Sequence, residues 1–460
     1  MTLSPKISMR KTYADLLRLA LPVMLTQLGQ VVVQLCDNMM VGRLGALPLA
    51  GVSFGGTVFF IIFALAIGFT LGLTPLVGEL FAQNRKEEVA GYLQNSIALY
   101  LTMGVVFVAL LLAAVPLMHY LGQPEEVVEV AIPYFKFLAW SVLPFMLFAS
   151  FKQFLEGIGN TKVAMTIVVI SNALNILLNW VFIFGKLGAP ELGAAGAGLA
   201  TLIARSVTPV MMIAYFLSKR EFRSYFDFFS WRKMMGLSRE GNHYCKELFR
   251  VGLPIAGHLT LENSAFCITS LMMGWIGTVE IAANQITTTM ANVAFMMVVG
   301  IGSATTILTS HAYGARDRAQ IKAISRASYT VGLAWNTFTA LSFILLRNHI
   351  PLLFTNDPDV VRTAGMLLVF CGLFQFSDGL QCISTGLLRG IKDVAVILRI
   401  ALVAYVVINV PLGYLLCFVV GWGAPALWMG FIAGLTIAAV LLIRRFRRQL
   451  GSDDLFARAE

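Results

Sequence analysis

Apolar stretches of about 20 residues or more, the length at which a helix crosses a hydrocarbon core, recur along the whole chain. A dozen can be marked, at residues 15–40, 48–76, 92–117, 131–155, 162–186, 192–217, 247–274, 280–312, 325–348, 360–388, 395–420 and 424–444. Each reads as a membrane-spanning helix, so the expected fold class is an all-α membrane protein with twelve transmembrane helices. The 280–312 stretch is too long for one straight span, and a kink around Gly300 or Gly302 is expected. The first stretch begins near Leu16. It exceeds the apolar region of a signal peptide and lacks a small-x-small cleavage site after it, so it reads as a retained span.

The basic residues orient these spans. With the N-terminus placed inside, Arg43, Lys136, Lys186, Arg347 and Arg362 fall outside and Arg205 falls within a span; every other Lys and Arg falls inside. Inner loops collect positive charge, so both termini are expected in the cytoplasm. The chain also repeats. LRLALP (17–22) returns as FRVGLP (249–254), MVGRLG (40–45) as MGWIG (273–277), and LEGI (155–158) as LRGI (388–391). Asn175 falls on Asn409 and Gly196 on Gly430 at nearly the same offset. The basic 218–250 loop separates the halves. Six helices per half is an even number, so both halves enter the membrane with the same polarity, related by a pseudo-two-fold axis along the membrane normal. The expected organisation is a six-helix N-lobe (1–217), a basic cytoplasmic linker (218–246), a six-helix C-lobe (247–444) and a cytoplasmic tail (445–460).

Composition agrees. Hydrophobic residues make up 58% of the chain, charged residues only 13%, and mean hydropathy is +0.79; a soluble domain carries about 25% charged residues. The net charge of +10 would hint at nucleic acid in a soluble protein. Here the inner loops account for it, and no nucleic-acid partner is expected. The six cysteines show no CxxC or metal spacing and read as small core residues. No G-x-x-x-x-G-K-[ST], G-x-S-x-G or HExxH occurs, and the linker is short for a catalytic domain. The chain reads as neither an ATP-driven pump nor an enzyme, and no cofactor is expected.

Polar groups at membrane depth carry the functional signal. Gln27, Gln30, Gln34 and Asp37 share one face of the first span, and Asn172, Asn175 and Asn179 share one face of the fifth. The seventh carries His258 and Glu262, the eighth Gln285, Thr288 and Asn292, and the tenth Gln375, Asp378, Cys382 and Thr385. Amides and hydroxyls commonly glue helices together, and a lone His258 reads as a packing residue. Arg205 reads either as a partner for an acid or as a snorkelling side chain. A carboxylate is different, costing about 2.5–3.5 kcal/mol at the bilayer centre. Asp37, Glu262 and Asp378 are therefore the expected functional acids, with Gln34, Asn292 and Gln375 as cavity-lining candidates. Asp37 is expected to bind a proton, a sodium ion or a cationic substrate. With Asn175 and Asn179 one turn apart and a nearby hydroxyl, it forms a small set of hard oxygen ligands. That set favours Na⁺ over H⁺ as the coupling ion.

These segments resemble the MATE (multidrug and toxic compound extrusion) transporters of the NorM type. The resemblance runs over about residues 10–445. It rests on LPVMLTQLGQVVVQLCDNMMVGRLG (21–45), EGIGNTK (156–162), NILLNWVFIFG (175–185) with GAAGAGLAT (193–201), LENSAF (261–266) and GLFQFSDGLQCISTGLLRG (372–390). It implies two six-helix lobes that alternate their opening. It further implies export of amphipathic cationic or aromatic compounds in exchange for Na⁺ or H⁺. Carried over, the N-lobe cation acid is Asp37 with Asn175, Asn179 and Thr201 as neighbours, and the C-lobe acids are Glu262 and Asp378. Relatives in another branch carry an acid where this chain has Asn179, which leaves these N-lobe residues one formal charge. A monomer in the bacterial inner membrane is expected. The alternative is a lipid-linked saccharide flippase of the wider superfamily. The mainly acidic intramembrane charge favours cationic cargo instead.

Overall fold

A computed structural model describes residues 8–234, 236 and 238–459. Among them there is no strand, and twelve long helical rods carry the fold. They are α1 (Met9–Gly42), α2 (Ala46–Ala82), α3 (Lys86–Met118), α4 (Glu125–Gly157), α5 (Thr161–Phe184) and α6 (Ala194–Ser218), then α7 (Arg239–Ile276), α8 (Thr278–Gly314), α9 (Arg318–Leu345), α10 (Pro358–Gly390), α11 (Ala395–Val419) and α12 (Ala424–Gly451). The sequence marks all twelve. Their ends run further than the apolar signal, because a helix continues into polar turns beyond the hydrocarbon edge. Ten of them are long and apolar enough to cross a membrane by length and composition. The others, α7 and α9, are comparably long but carry charged residues, as α7 does at Glu240, Lys246, Glu247 and Arg250.

Local chemistry sets the ends. Asp317 caps α9 by accepting from the Gln320 backbone N–H at 2.9 Å. Asp357 caps α10 by accepting from the Asp359 N–H at 3.0 Å, with Pro358 at the first helical position, where its missing N–H costs nothing. Gly185, with φ +62°, closes α5 in the left-handed conformation that glycine adopts without strain. The linker is not an open loop. Two short helices, Arg220–Phe226 and Trp231–Met234, dock on α3, where Lys233 pairs with Glu87 at 3.2 Å and with Glu240 at 2.7 Å. Hydrogen bonding to Glu240 and then Glu87 holds Lys233 above its usual pKa.

Three rods are interrupted. α2 opens at Leu71–Gly72 and α4 at Ser141, whose hydroxyl donates back to the Leu138 carbonyl at 2.6 Å and competes with the helical ladder. α11 contains wide π-type turns at Leu402–Asn409 and Leu415–Val419 on either side of a short α segment holding Pro411. Proline removes one helical donor, and π-turns are a common response to a disturbed ladder. In α8, where a kink is expected around Gly300 or Gly302, the helix is not interrupted. Thr278–Gly314 is one unbroken helix. Its glycines serve packing instead, with Gly300 lying against Met24 and Gly302 against Cys382.

The chain divides into two compact units, one of residues 25–256 and the other of the segment before residue 25 together with residues 257–460. Both divisions fall inside a helix, two residues after Pro22 in α1 and after Pro254 in α7, the matched prolines of the repeat. In the first unit Val41, Val52, Ile183, Ala194 and Ala197 form one buried cluster. The second has an aromatic core. Phe266 stacks on Phe431 with centroids 4.4 Å apart, and Phe374 meets Trp428 edge-on at 5.5 Å.

The repeat is visible in packing. A Cβ on Gly196 would lie 2.6 Å from the Phe182 carbonyl oxygen on α5, and one on Gly430 would lie 2.7 Å from the Asn409 carbonyl oxygen on α11. In each unit a glycine at the matched position lets two helix backbones touch, as small residues do where lipid supplies no hydrophobic drive. Gly196→Val and Gly430→Val are each expected to destabilise the protein by about 1–3 kcal/mol. Gly56→Ala, whose new methyl meets nothing closer than 4.0 Å, should be near neutral. Thermal unfolding in detergent followed by size exclusion gives the ranking. Equal melting temperatures for all three variants would show the crossings are loose.

Candidate functional site

In the first unit, α1, α5 and α6 bring their polar residues into one hydrogen-bonded chain. The Asn175 Nδ2 donates to Thr201 Oγ1 at 3.3 Å, the Asn179 Nδ2 donates to Asn175 Oδ1 at 3.1 Å, and the same Asn179 Nδ2 donates to Asp37 Oδ1. Thr201 donates onward to the Ala197 carbonyl at 3.0 Å. Asn175 and Asn179 are buried, while Asp37 and Thr201 are half-buried. The helical spacing of α5 makes this possible, since residues 175 and 179 stack one turn apart. Asn172, one turn before, takes another role and packs its amide over Gly29 of α1. The Asn179 Oδ1 is fully buried and has no hydrogen-bond partner among the described residues.

Arg205 lies one turn beyond Thr201 on α6. It does not snorkel. Its Nη1 donates to Ser141 Oγ at 2.8 Å, at the interruption of α4, and its guanidinium stands 4.6 Å from the Phe63 ring centroid, 5.6 Å from Phe59 and 5.9 Å from Phe145. Gln34 is exposed and takes no part in the chain that ends on Asp37.

The second unit buries both of its expected acids. Glu262 is 7% exposed and Asp378 3%. The Tyr405 hydroxyl of α11 acts on Glu262, and the two carboxylates repel each other. Arg389, at the end of α10, attracts Glu262. Arg389 acts on Glu262, while Asp378 has Glu262 as its charged neighbour. His258 is buried, as a packing residue would be, yet its Nε2 lies 2.8 Å from the Gln381 Nε2, which also donates to the Tyr405 hydroxyl at 3.4 Å. A Gln amide that donates to both leaves His258 Nε2 as the acceptor. Of the lining candidates, Gln375 is fully buried with its Oε1 unpartnered, one turn from Asp378, whereas Asn292 and Gln285 are exposed. The neighbouring Asn284 is the buried one, accepting from the Trp428 indole at 3.1 Å. A surface cavity of about 650 Å³ lined by Gly277, Glu280, Asp359 and Arg362 sits at the loop ends of α7, α8 and α10 and contains none of these acids.

Sequence reasoning missed Tyr405 and Gln381. A lone tyrosine in an apolar span carries no pattern, and Gln381 lies off the 375–378–382–385 face. Its only signal was a buried amide three residues after an acid.

A sequence model of the MatE family matches residues 22–181 and 254–415, one match in each half of the repeat. The chain is 33% identical over 445 residues to the "Probable multidrug resistance protein NorM" of Mannheimia succiniciproducens, covering 96% of this chain and 95% of that protein. It is 30% identical over 455 residues to the "Multidrug resistance protein NorM" of Vibrio cholerae, covering 97% and 98%. Among solved structures, the eukaryotic MATE transporter AtDTX14 superimposes with a TM-score of 0.87 at 18% identity, covering 98% of this chain and all of that one. An outward-facing multidrug resistance MATE transporter of the MOP superfamily gives 0.87 at 22% identity, covering 98% and 99%. These two likenesses speak for the fold.

Proposed function

The chain belongs to the MatE family, whose members are membrane transporters and not enzymes, and from that premise we propose that this multidrug exporter works as a cation-coupled antiporter. Na⁺ is the favoured coupling ion, ahead of H⁺. It exchanges for amphipathic cationic or aromatic compounds by alternating access, in an inner membrane with both termini cytoplasmic. The protein acts as a monomer.

One observation carries the reading: the Thr201–Asn175–Asn179–Asp37 chain ends on a carboxylate beside a buried amide oxygen that lacks a partner. A buried acceptor left unpaired costs about 1–3 kcal/mol. A cation bound between Asn179 Oδ1 and Asp37 would satisfy both. Hard oxygen donors with one formal charge suit an alkali ion, whereas a proton needs only the acid. The second unit, with two buried carboxylates and aromatic surroundings, supports binding of the organic cation or of a further coupling ion.

The test is efflux from proteoliposomes. With pH equal on both sides, a Na⁺ gradient directed opposite to dye export is expected to drive transport of a fluorescent cation. Transport driven by a pH step alone, with Na⁺ without effect, would replace sodium by the proton at Asp37.

A further inference from the structure

The first unit holds a permanent cation of its own in a box built for cations. Phe59, Phe63 and Phe145 form a continuous wall, with Phe59 and Phe63 stacked at 4.8 Å and Phe63 tilted against Phe145 at 4.7 Å. Phe59 and Phe63 are buried, so ring–ring packing holds the wall together irrespective of what sits over it. The fourth side is Ser141 Oγ. Its hydrogen is committed to the Leu138 carbonyl, which leaves lone pairs facing inward. Three ring faces within about 6 Å of one point, plus an oxygen acceptor, are the chemistry that recognises quaternary ammonium or arylamidinium groups. The occupant is Arg205, which does not lose its proton in proteins.

We propose that Arg205 is a tethered cation that fills this aromatic box in place of an organic cation, and so reserves the neighbouring Asp37 for a small inorganic ion. The proposal rests on the antiport reading and adds to it the residue that sorts the two kinds of cation in the first unit. The geometry on α6 supplies the coupling. Thr201, which ends the Asp37 chain, is one turn from Arg205. An organic cation seated on the three rings would therefore place its charge one helical turn from the polar chain. Arg205 itself is turned away from Asp37, hydrogen-bonded to Ser141 and spread over the rings. Its charge acts on Asp37 from a distance, and among the described residues no ion pair joins the two. The carboxylate keeps its lone pairs for a small ion, while the aromatic surface that suits an arylated or alkylated cation is taken.

The experiment uses the full chain in lipid nanodiscs, with tetraphenylphosphonium as probe and isothermal titration calorimetry as readout. Arg205→Met keeps the length of the side chain and removes its charge. Arg205→Gln removes the charge while keeping a donor for Ser141. Both are expected to gain a tetraphenylphosphonium site at least about tenfold tighter than any in the wild type. That site should be weakened by added Na⁺ and lost in Arg205→Met combined with Phe63→Ala. Arg205→Lys, which restores a tethered cation, should bind as wild type does. Unchanged probe binding in both folded neutral variants overturns the proposal, as does a gained site indifferent to Phe63→Ala. Wild-type efflux tests the antiport reading separately. A wild type that transports no cation would refute that reading, and the gain in binding by the neutral variants would still decide the role of Arg205.

Discussion

Asp37→Asn is expected to reduce coupled efflux to the level of protein-free liposomes while leaving the amount of folded protein unchanged. The two side chains have the same shape, and an asparagine oxygen can still accept from Asn179 Nδ2 as Asp37 Oδ1 does. The Thr201–Asn175–Asn179 chain then stays in place and only the formal charge is lost. A unit charge acting on a cation about 4 Å away is worth roughly 4 kcal/mol at an effective dielectric constant near 20, about a thousandfold in affinity. Burial at half exposure rather than full exposure keeps most of that. Efflux of a fluorescent cation from proteoliposomes with matched protein content measures the effect. Wild-type rates in Asp37→Asn would show that the coupling ion binds elsewhere.

Asp378→Asn is expected to abolish export as well, for a different electrostatic reason. In the second unit Glu262 and Asp378 repel each other, and Arg389 attracts Glu262. Removing Asp378 takes away the acid that Arg389 does not attract, and with it the negative charge that would meet a monovalent cation. Affinity for a cationic dye should fall at least about a hundredfold, on the same Coulomb scale. Stability should move the other way or stay level, because two like charges no longer oppose each other out of water. Dye binding and thermal unfolding measured on the same preparation separate the two effects. A folded Asp378→Asn protein that binds dye as tightly as the wild type would remove Asp378 from the site.

The three acids differ in how far they could be read beforehand. Asp37 was legible with its partners, because Asn175 and Asn179 advertise themselves by their spacing on a helix that follows a single rule of 3.6 residues per turn. Glu262 and Asp378 were legible only as costly charges in apolar spans. The groups that act on Glu262, Tyr405 of α11 and Arg389 of α10, lie on other helices, and nothing in the order of residues says which helix faces which. Gln34 shows the same limit from the other side. It shares the helical face of Asp37, yet it stays exposed while Asp37 reaches α5. Spacing defines a stripe on a cylinder, whereas contact depends on where the neighbouring cylinder touches it.

The chain's own pattern of residues determined what local physics and the bilayer can dictate: twelve helices, because a hydrocarbon core demands runs of apolar residues with their backbone bonds made internally; the repeat, because matched motifs return at a constant offset; and the acids that need an explanation, because burying charge is expensive. Tertiary structure decided the rest. It made Gly300 and Gly302 packing surfaces, one against Met24 and the other against Cys382. It also turned Arg205 inward, onto three rings and a serine drawn from α2 and α4. No reading of α6 alone could have placed those partners, because they come from segments separated by some sixty residues or more and meet only when the helices pack.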